Sequence, residues 1–154
     1  MNKVMFVCSS GGHLTELLKL QVLFRKYNYL LVTEETSLTK KLNEDYKISY
    51  MKYGSREYIF QYIFVFIYNL IKSIILMITF NPKVVVTTGA HTGGITCFIA
   101  KLFFKKVIYI ESMAKVKSLS VTGKVMYLIA DKFYVQWEEL VEKYPKAEYL
   151  GRLI

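Results

Sequence analysis

Short runs of β-branched and aromatic residues recur along the whole chain, and longer segments with helical periodicity separate them. Several of these runs, such as VVVTT and VIYI, are apolar at consecutive positions. Consecutive apolar positions indicate strands buried on both faces, as in a parallel sheet covered by helices. The alternation of such strands with helices therefore predicts an α/β fold with a doubly wound parallel sheet. The predicted strands span residues 3–8, 29–33, 47–51, 84–88, 107–110, 133–135 and 148–150.

The length of the chain is that of one domain. Its 154 residues match a common domain size. The sequence contains no internal repeat, no low-complexity tract and no shift in composition that would divide it. We therefore expect a single domain over residues 1–154.

Two glycine-rich turns each follow a predicted strand. SSGGH follows the first strand and leads into a segment, residues 14–27, with the pattern of an amphipathic helix; GAHTGG follows the fourth strand. At the carboxyl edge of a parallel sheet, helix N-termini point free N–H groups at ligands, and glycine lets a phosphate approach the backbone closely. The two turns together predict a phosphate or pyrophosphate site, whereas each turn alone could simply permit a tight connection. The candidate binding residues are Ser10, Gly11, Gly12, His13, Gly89, His91, Gly93 and Gly94.

The turns match none of the common nucleotide-binding or phosphatase motifs. The sequence lacks both GxGxxG and GxxxxGK[ST], and Leu14 stands where a cysteine phosphatase loop starting at Cys8 would need an arginine. We therefore expect no bound cofactor. Glu34 and Glu35 nevertheless follow the first turn at about the spacing of a ribose-binding acid. A self-sufficient nucleotide-binding enzyme that uses one of these carboxylates is therefore an alternative.

Two side chains are candidates for proton transfer at this edge of the sheet. His13 lies at the mouth of the first turn, and Glu111 lies at the end of the fifth predicted strand. Glu111 is the only carboxylate between Glu57 and Asp131. It could accept a hydroxyl proton, or it could cap the following segment or pair with Lys115.

No metal site is expected. His13 and His91 are far apart in sequence and lack Cys, Asp or Glu neighbours at ligand spacing. Cys8 and Cys97 each lie in an apolar run beside a glycine-rich turn, so we expect both to be reduced and buried.

The segment from residue 58 to residue 80 is the most hydrophobic part of the chain. As a helix it would be about 35 Å long, which is enough to cross a bilayer. If the first and fourth strands share one sheet, however, the connection between them must begin and end on the same side of the membrane. We therefore expect an in-plane or half-inserted helix whose polar stripe, Asn69, Lys72 and Ser73, faces the protein. The alternative is a crossover helix that the domain buries completely. The predicted lipid-facing residues are Phe60, Phe64, Ile67, Ile71 and Ile75.

Positive charge accompanies this hydrophobic segment. The formal net charge is +9, and no acidic residue occurs between residues 58 and 110. This combination favours an anionic membrane surface as the partner.

The lysines are scattered without a stacking or base-reading motif, so we expect no nucleic-acid partner. Because the first apolar run ends at Ser9, too early for a signal peptide, we expect a peripheral or monotopic protein at the cytoplasmic face of the membrane.

Three segments, taken in order, resemble a known family. They are SSGGHLTEL, TTGAHTGG and, most distinctively, the stretch over residues 110–140. They are similar to bacterial capsular and exopolysaccharide proteins related to the asparagine-linked-glycosylation subunit fourteen family, and the resemblance covers nearly the whole chain. It implies a Rossmann-like domain equivalent to the N-terminal domain of a GT-B glycosyltransferase that is split into two proteins. The undivided enzyme that it resembles is the lipid-linked peptidoglycan N-acetylglucosaminyltransferase.

On this resemblance, the chain is a membrane-associated, non-autonomous subunit of a galactosyl- or N-acetylglucosaminyltransferase in capsular polysaccharide synthesis. It would hold an undecaprenyl-diphosphate-linked sugar in the glycine-rich turns, with His13 or Glu111 as the base, while a separate catalytic subunit binds the UDP-sugar. Eukaryotic relatives carry an added N-terminal anchor, without which attachment would depend on residues 58–80. The residues expected to contact the partner are Lys115, Ser118, Leu153 and Ile154.

Overall fold

A computed structural model of the chain describes residues 1–54 and 59–153. Its strands are β1 (Lys3–Cys8), β2 (Asn28–Glu35), β3 (Ile48–Lys52), β4 (Val84–Gly89), β5 (Lys106–Ile110), β6 (Lys132–Val135) and β7 (Glu148–Tyr149). They form one sheet in the order β3-β2-β1-β4-β5-β6-β7. Every neighbouring pair is parallel. The predicted doubly wound parallel sheet is therefore confirmed, and each predicted strand coincides with an observed one.

The α-helices of the described residues lie between these strands. They are α1 (Gly12–Leu18), α2 (Ile59–Thr79), α3 (His91–Leu102), α4 (Val121–Ile129) and α5 (Glu139–Lys143). α1 is shorter than predicted, because a 3₁₀ turn over Gln21–Leu23 follows it. The ring of Phe24 lies 4.5 Å from that of Tyr29 and 4.7 Å from that of Phe6, centroid to centroid. These aromatic contacts hold Phe24 against the sheet, where a continuous helix would not place it.

A hydrophobic core covers each face of the sheet. On one face, α2, α3 and α4 pack on the strands through buried residues that include Met77, Cys97 and Met126. On the other face, α1 and the turn after it pack through Leu17 and Phe24. The strands are apolar at consecutive positions because both of their faces are buried in this way.

The strand order reverses between β1 and β4. The chain builds the sheet from β1 outward to β3 and then from β4 outward to β7. At such a reversal, the connections after the two central strands turn to opposite faces and leave a crevice at the carboxyl edge, where open α/β sheets bind ligands. The two glycine-rich turns follow these two strands and therefore border the crevice.

α2 is held against the protein by its predicted polar stripe. Asn69 accepts a hydrogen bond from the Lys52 backbone N–H and donates one to the Lys52 carbonyl oxygen, both at 2.9 Å. Ser73 Oγ lies 3.0 Å from Thr96 Oγ1 on α3, and Lys72 Nζ donates to a carbonyl oxygen of β3. The predicted orientation of this stripe is confirmed. Residue 58, where we expected the helix to begin, lies outside the described residues.

The opposite face of α2 is apolar and exposed. Only 22% of the most hydrophobic 18-residue stretch within Phe60–Thr79 is buried, and by length and composition alone this helix could cross a membrane. The alternative of a fully buried crossover helix is therefore wrong. The predicted lipid-facing side chains are all exposed: Phe60, Phe64, Ile67, Ile71 and Ile75.

Candidate functional site

The two glycine-rich turns lie side by side at the strand reversal. Ser9 N donates to the Gly89 carbonyl oxygen at 3.0 Å, and Thr92 N donates to Ser9 Oγ at 3.2 Å. Gly11 and Ala90 occupy the N-cap positions of α1 and α3. Neither residue has a polar side chain that could accept a hydrogen bond from the first N–H groups of its helix, as a usual cap does. In α3, Ser9 Oγ takes one of these N–H groups, that of Thr92. The crevice is therefore bordered by backbone donors.

His13 is oriented by the second turn. Its Nδ1 lies 2.8 Å from the Thr88 carbonyl oxygen, and Thr88 Oγ1 donates to the His13 carbonyl oxygen at 2.7 Å. A carbonyl oxygen can only accept, so Nδ1 carries the proton of the neutral ring and Nε2 keeps its lone pair. Within the described part of the chain, no hydrogen bond is made to Nε2. The half-buried ring is thus held in the tautomer that can accept a proton from a bound hydroxyl.

Glu34 joins the two turns from the end of β2. It is buried, and its Oε2 accepts hydrogen bonds from Ser10 N at 3.1 Å and Ser10 Oγ at 2.9 Å. Its Oε1 accepts one from Thr92 Oγ1 at 2.6 Å. Both oxygens are therefore engaged by the protein itself, while Glu35 is exposed and lies 3.6 Å from Lys40 Nζ. The structure does not support the alternative that Glu34 binds a ribose, and it gives this carboxylate a positioning role that the sequence analysis missed.

Glu111 has no access to the crevice. It is 0% exposed, and its oxygens accept hydrogen bonds from the backbone N–H groups of Ser112 and Ser120, both at 2.9 Å. Ser120 is the N-cap of α4. Glu111 therefore orders the segment between β5 and α4, which is the capping alternative, and it is poorly placed to act as the predicted base. The structure does not support the other alternative, pairing with Lys115, because that lysine is exposed and the backbone N–H groups of Ser112 and Ser120 occupy the carboxylate.

The surroundings of the glycines differ between the two turns, so glycine is present in each turn for a different structural reason. Gly11 and Gly12 face open space, with no atom within 4 Å of an added Cβ. An added Cβ on Gly93 would instead lie 2.3 Å from Thr87 Oγ1, and one on Gly94 would lie 2.8 Å from Thr122 Cγ2. Gly93 and Gly94 therefore permit close packing of α3 on β4 and α4. Our expectation that they open the backbone to a phosphate fits the first turn better than the second.

Glu16 is a second buried carboxylate that the sequence analysis did not single out. It is 5% exposed, and its Oε1 accepts hydrogen bonds from Ser112 Oγ and Met113 N, both at 3.0 Å. Its Oε2 is buried and has no hydrogen-bond partner among residues 1–54 and 59–153. Glu16 thus ties α1 to the segment after β5. Adjacent residues of a helix point in different directions, so the apolar pattern of Leu14, Leu17 and Leu18 gives no signal that Glu16 is buried.

A family model for "Oligosaccharide biosynthesis protein Alg14 like" matches residues 4–153. The chain belongs to the Alg14-like family. It is 32% identical to "UDP-N-acetylglucosamine transferase subunit ALG14" of Mus musculus, over 99% of this chain and 83% of that protein. It is 33% identical to the protein of the same name in Homo sapiens, over 98% of this chain and 82% of that protein. These matches confirm the family resemblance, whereas the capsular context stays a prediction.

Solved structures share the fold of this Alg14-like chain. The structure of MurG from Acinetobacter baumannii superposes with a TM-score of 0.72 at 16% identity, over 88% of this chain and 42% of that one. UDP-N-acetylglucosamine 2-epimerase from Rickettsia bellii gives 0.74 at 15% identity, over 99% of this chain and 45% of that one. The chain therefore spans less than half the length of these proteins. The likeness confirms the Rossmann-like, GT-B type of fold.

The remaining predicted binding residue of the Alg14-like chain, His91, lies between the second turn and α2. Its Nε2 shares a hydrogen bond with the Tyr62 hydroxyl, and its ring lies 5.9 Å from that of Phe66. Both partners are on the first half of α2. His91 therefore connects the hydrophobic helix to the edge of the crevice.

The predicted contact residues for a partner differ in exposure. Lys115 and Ser118 are exposed in the segment between β5 and α4. Leu153 is half-buried: it packs on the α1 side of the core, and its N–H donates to Gln136 Oε1 at 2.8 Å. Leu153 is therefore less exposed than Lys115 and Ser118, because it packs against that core. Ile154 lies outside the described residues.

The two cysteines are buried and free, as predicted. Burial raises the pKa of Cys8 to about 12, and burial also raises the pKa of Cys97. Because the thiolate is the reactive form, neither sulfur is suited to act as a nucleophile.

Exposed apolar side chains continue from α2 onto the two neighbouring helices. Phe98 and Leu102 on α3 are 51% and 59% exposed, and Leu128 on α4 is 74% exposed. We call the exposed apolar faces of α2, α3 and α4 together the apolar surface. Its extension beyond α2 was not predicted, and a patch spanning three helices is typical of a membrane or protein contact.

Proposed function

We propose that this chain is the acceptor-binding subunit of a two-component glycosyltransferase that uses a lipid-diphosphate-linked sugar at a membrane. One observation carries the proposal: the two glycine-rich turns meet at the strand reversal, next to the exposed apolar face of α2. The names of its relatives as transferase subunits support it. The chain would then act as one acceptor-binding domain over residues 1–154.

The diphosphate of the acceptor is proposed to bind at the open first turn and at the start of α3. Gly11 and Gly12 leave space for phosphate oxygens to approach the backbone. α3 is 12 residues long, and the positive end of its dipole, at the N-terminus, would attract the negative charge of the diphosphate. In this arrangement, Ser10 and Thr92 shape the crevice through their hydrogen bonds to Glu34, and Gly89 does so through its hydrogen bond with Ser9 N.

His13 is the proposed base. The acceptor hydroxyl would give its proton to Nε2 as its oxygen forms a bond to the anomeric carbon of the donor sugar, and the UDP would leave with the electrons of the broken bond. The other ring proton stays on Nδ1 throughout, because Nδ1 donates it in the hydrogen bond to the Thr88 carbonyl oxygen. Glu111 is proposed as a positioning residue for the segment that follows β5.

The donor is proposed to be a UDP-sugar bound by a separate catalytic subunit. The relatives' names point to UDP-N-acetylglucosamine, while the resemblance to capsular and exopolysaccharide proteins also allows a galactose donor. The exposed segment with Lys115 and Ser118, together with the chain end at Leu153 and Ile154, is the proposed contact region. The apolar surface would rest on the cytoplasmic face of the membrane, and the nearby lysines would attract anionic lipids by on the order of 1 kcal/mol each.

Substitution of Gly12 by leucine tests the binding part of this proposal. Gly12 is exposed and an added Cβ there meets no atom within 4 Å, so we expect the variant to fold and to bind the partner subunit normally. It should nevertheless use the lipid acceptor at least roughly tenfold less well, because the side chain fills the space for a phosphate. The measurement is the KM for a synthetic prenyl-diphosphate sugar in the reconstituted complex.

Gly93→Ala provides the contrasting variant. Its Cβ would collide with Thr87 Oγ1, so it should lose about 1–3 kcal/mol of folding stability. If Gly12→Leu loses stability and partner binding to the same extent as Gly93→Ala, its effect is on folding and the proposed phosphate site is not supported.

A further inference from the structure

A groove opens in the apolar surface where α2, α3 and α4 meet. Its volume is about 360 Å³, which is within the range of small-molecule pockets. Apolar side chains form most of its lining, chief among them Phe66, Leu70, Ile95, Phe98, Val125 and Met126.

The polar residues of the lining gather at one end. They are His91 and Thr122, in the first turns of α3 and α4, with Gly94 beside Thr122. Gly94 faces Thr122 so closely that an added Cβ would lie 2.8 Å from Thr122 Cγ2. α3 starts at the carboxyl edge of the sheet, immediately after the second glycine-rich turn. The polar end of the groove therefore borders the proposed diphosphate site.

The groove runs away from that site along one face of α3. Its lining passes from His91 through Ile95 to Phe98, about 10 Å at 1.5 Å per residue. At the far end, Phe98 and Val125 are 51% and 49% exposed. The groove therefore begins at the phosphate-binding edge and ends on the apolar surface.

We infer that this groove binds the first isoprene units of the acceptor's prenyl chain. The inference rests on the proposed function, because the chain enters the groove from the diphosphate at the glycine-rich turns. A ligand that is anionic at one end and apolar along its length matches a groove that is polar at one end and apolar beyond it. A helix of a partner protein does not fit, since a helix about 10 Å across would fill roughly 800 Å³ over this length.

Chain-length dependence of binding tests the inference. Isothermal titration of the full chain would use inorganic, isopentenyl, geranyl, farnesyl and geranylgeranyl diphosphates. Each buried methylene-sized group is expected to raise affinity by roughly fourfold. The affinity should therefore rise at least about tenfold from isopentenyl to geranyl diphosphate and level off once the groove is full.

Val125→Trp should fill the groove and remove this rise, with the affinity for isopentenyl diphosphate unchanged. Leu128→Trp is the matched control, because Leu128 is an exposed apolar residue of the same helix outside the groove lining; it should keep the rise. Val125→Ala leaves the half-exposed helix face intact and should give a smaller rise than the wild-type chain, which guards against misfolding of the tryptophan variant.

The outcomes separate this inference from the proposed function. If Val125→Trp keeps the wild-type dependence on chain length, or if the wild-type chain binds all the diphosphates equally, the groove does not hold the prenyl chain and the inference is wrong, while acceptor binding stands. If Val125→Trp loses the partner subunit but keeps the chain-length dependence, the groove is a protein contact and the inference is again wrong. If no diphosphate binds and the complex ignores prenyl-diphosphate sugars, both proposals fail.

Discussion

At the scale of single residues, His13 and Glu34 have different roles in the proposed site. The Thr88 carbonyl fixes the tautomer of His13 so that Nε2 can receive a proton. Glu34 is not placed to accept a proton from a ligand, because both of its oxygens accept hydrogen bonds from Ser10 and Thr92. One side chain is thus placed to react, and the other holds the two turns at a fixed separation.

His13→Gln tests this division. The glutamine amide can still donate to the Thr88 carbonyl but cannot take up a proton, so kcat for transfer in the reconstituted complex should fall by about 10²–10⁴-fold with little change in KM. Steady-state kinetics with the lipid acceptor varied would measure both constants. A variant with wild-type kcat would exclude His13 as the base, and a change confined to KM would make it a binding residue only.

Single residues were also where sequence-based prediction was least complete. The motif around Gly11 and His13 was recognisable because turn chemistry is local. Gly93 was assigned to phosphate binding, and Glu111 was left as either a candidate base or a cap, yet their neighbours Thr87 and Ser120 decide their roles. Such contacts arise only when separate elements pack, and no spacing in the sequence encodes them.

At the scale of elements, α2 links the crevice to the exposed apolar surface of the molecule. Asn69 is bonded to Lys52 at the end of β3, so the first ten or so residues of the helix project past the carboxyl edge by about 15 Å. Tyr62 and Phe66 in that part contact His91 beside the second turn.

The periodicity of α2 predicted its apolar and polar faces correctly, because Asn69 and Ser73 lie on one side of a helix with 3.6 residues per turn. The apolar faces of α3 and α4 escaped prediction, since their patterns resemble those of buried helices.

Glutamate at both Phe64 and Ile67 should detach the chain from membranes. Each buried apolar side chain contributes about 1.5–3 kcal/mol, so the double variant should bind vesicles containing anionic lipid at least roughly a hundredfold more weakly. Co-sedimentation with such vesicles measures the effect. Val22→Glu, at a 63% exposed position beside α1 on the other face of the sheet, serves as the control and should bind like the wild-type chain. Unchanged sedimentation of the double variant would mean that α2 does not face lipid.

At the scale of the whole molecule, the fold is a single Rossmann-like sheet, and under the proposed function it supplies one half of a cleft. The seven parallel strands place their carboxyl ends at a single edge, and the structurally similar proteins are more than twice as long as this chain. The strand runs and their alternation with helices were enough to predict this architecture, because burial on both faces of a parallel sheet leaves a strong pattern. The central claim of the proposed function is that a second subunit completes the cleft.

Reconstituted transfer tests that claim most directly. The purified chain, the candidate nucleotide-sugar-binding subunit and their co-purified complex would each be incubated with a UDP-sugar and a synthetic prenyl-diphosphate sugar, and the extended product would be quantified by mass spectrometry. We predict product from the complex and only background from either protein alone. Robust transfer by this chain without the second protein would contradict the account.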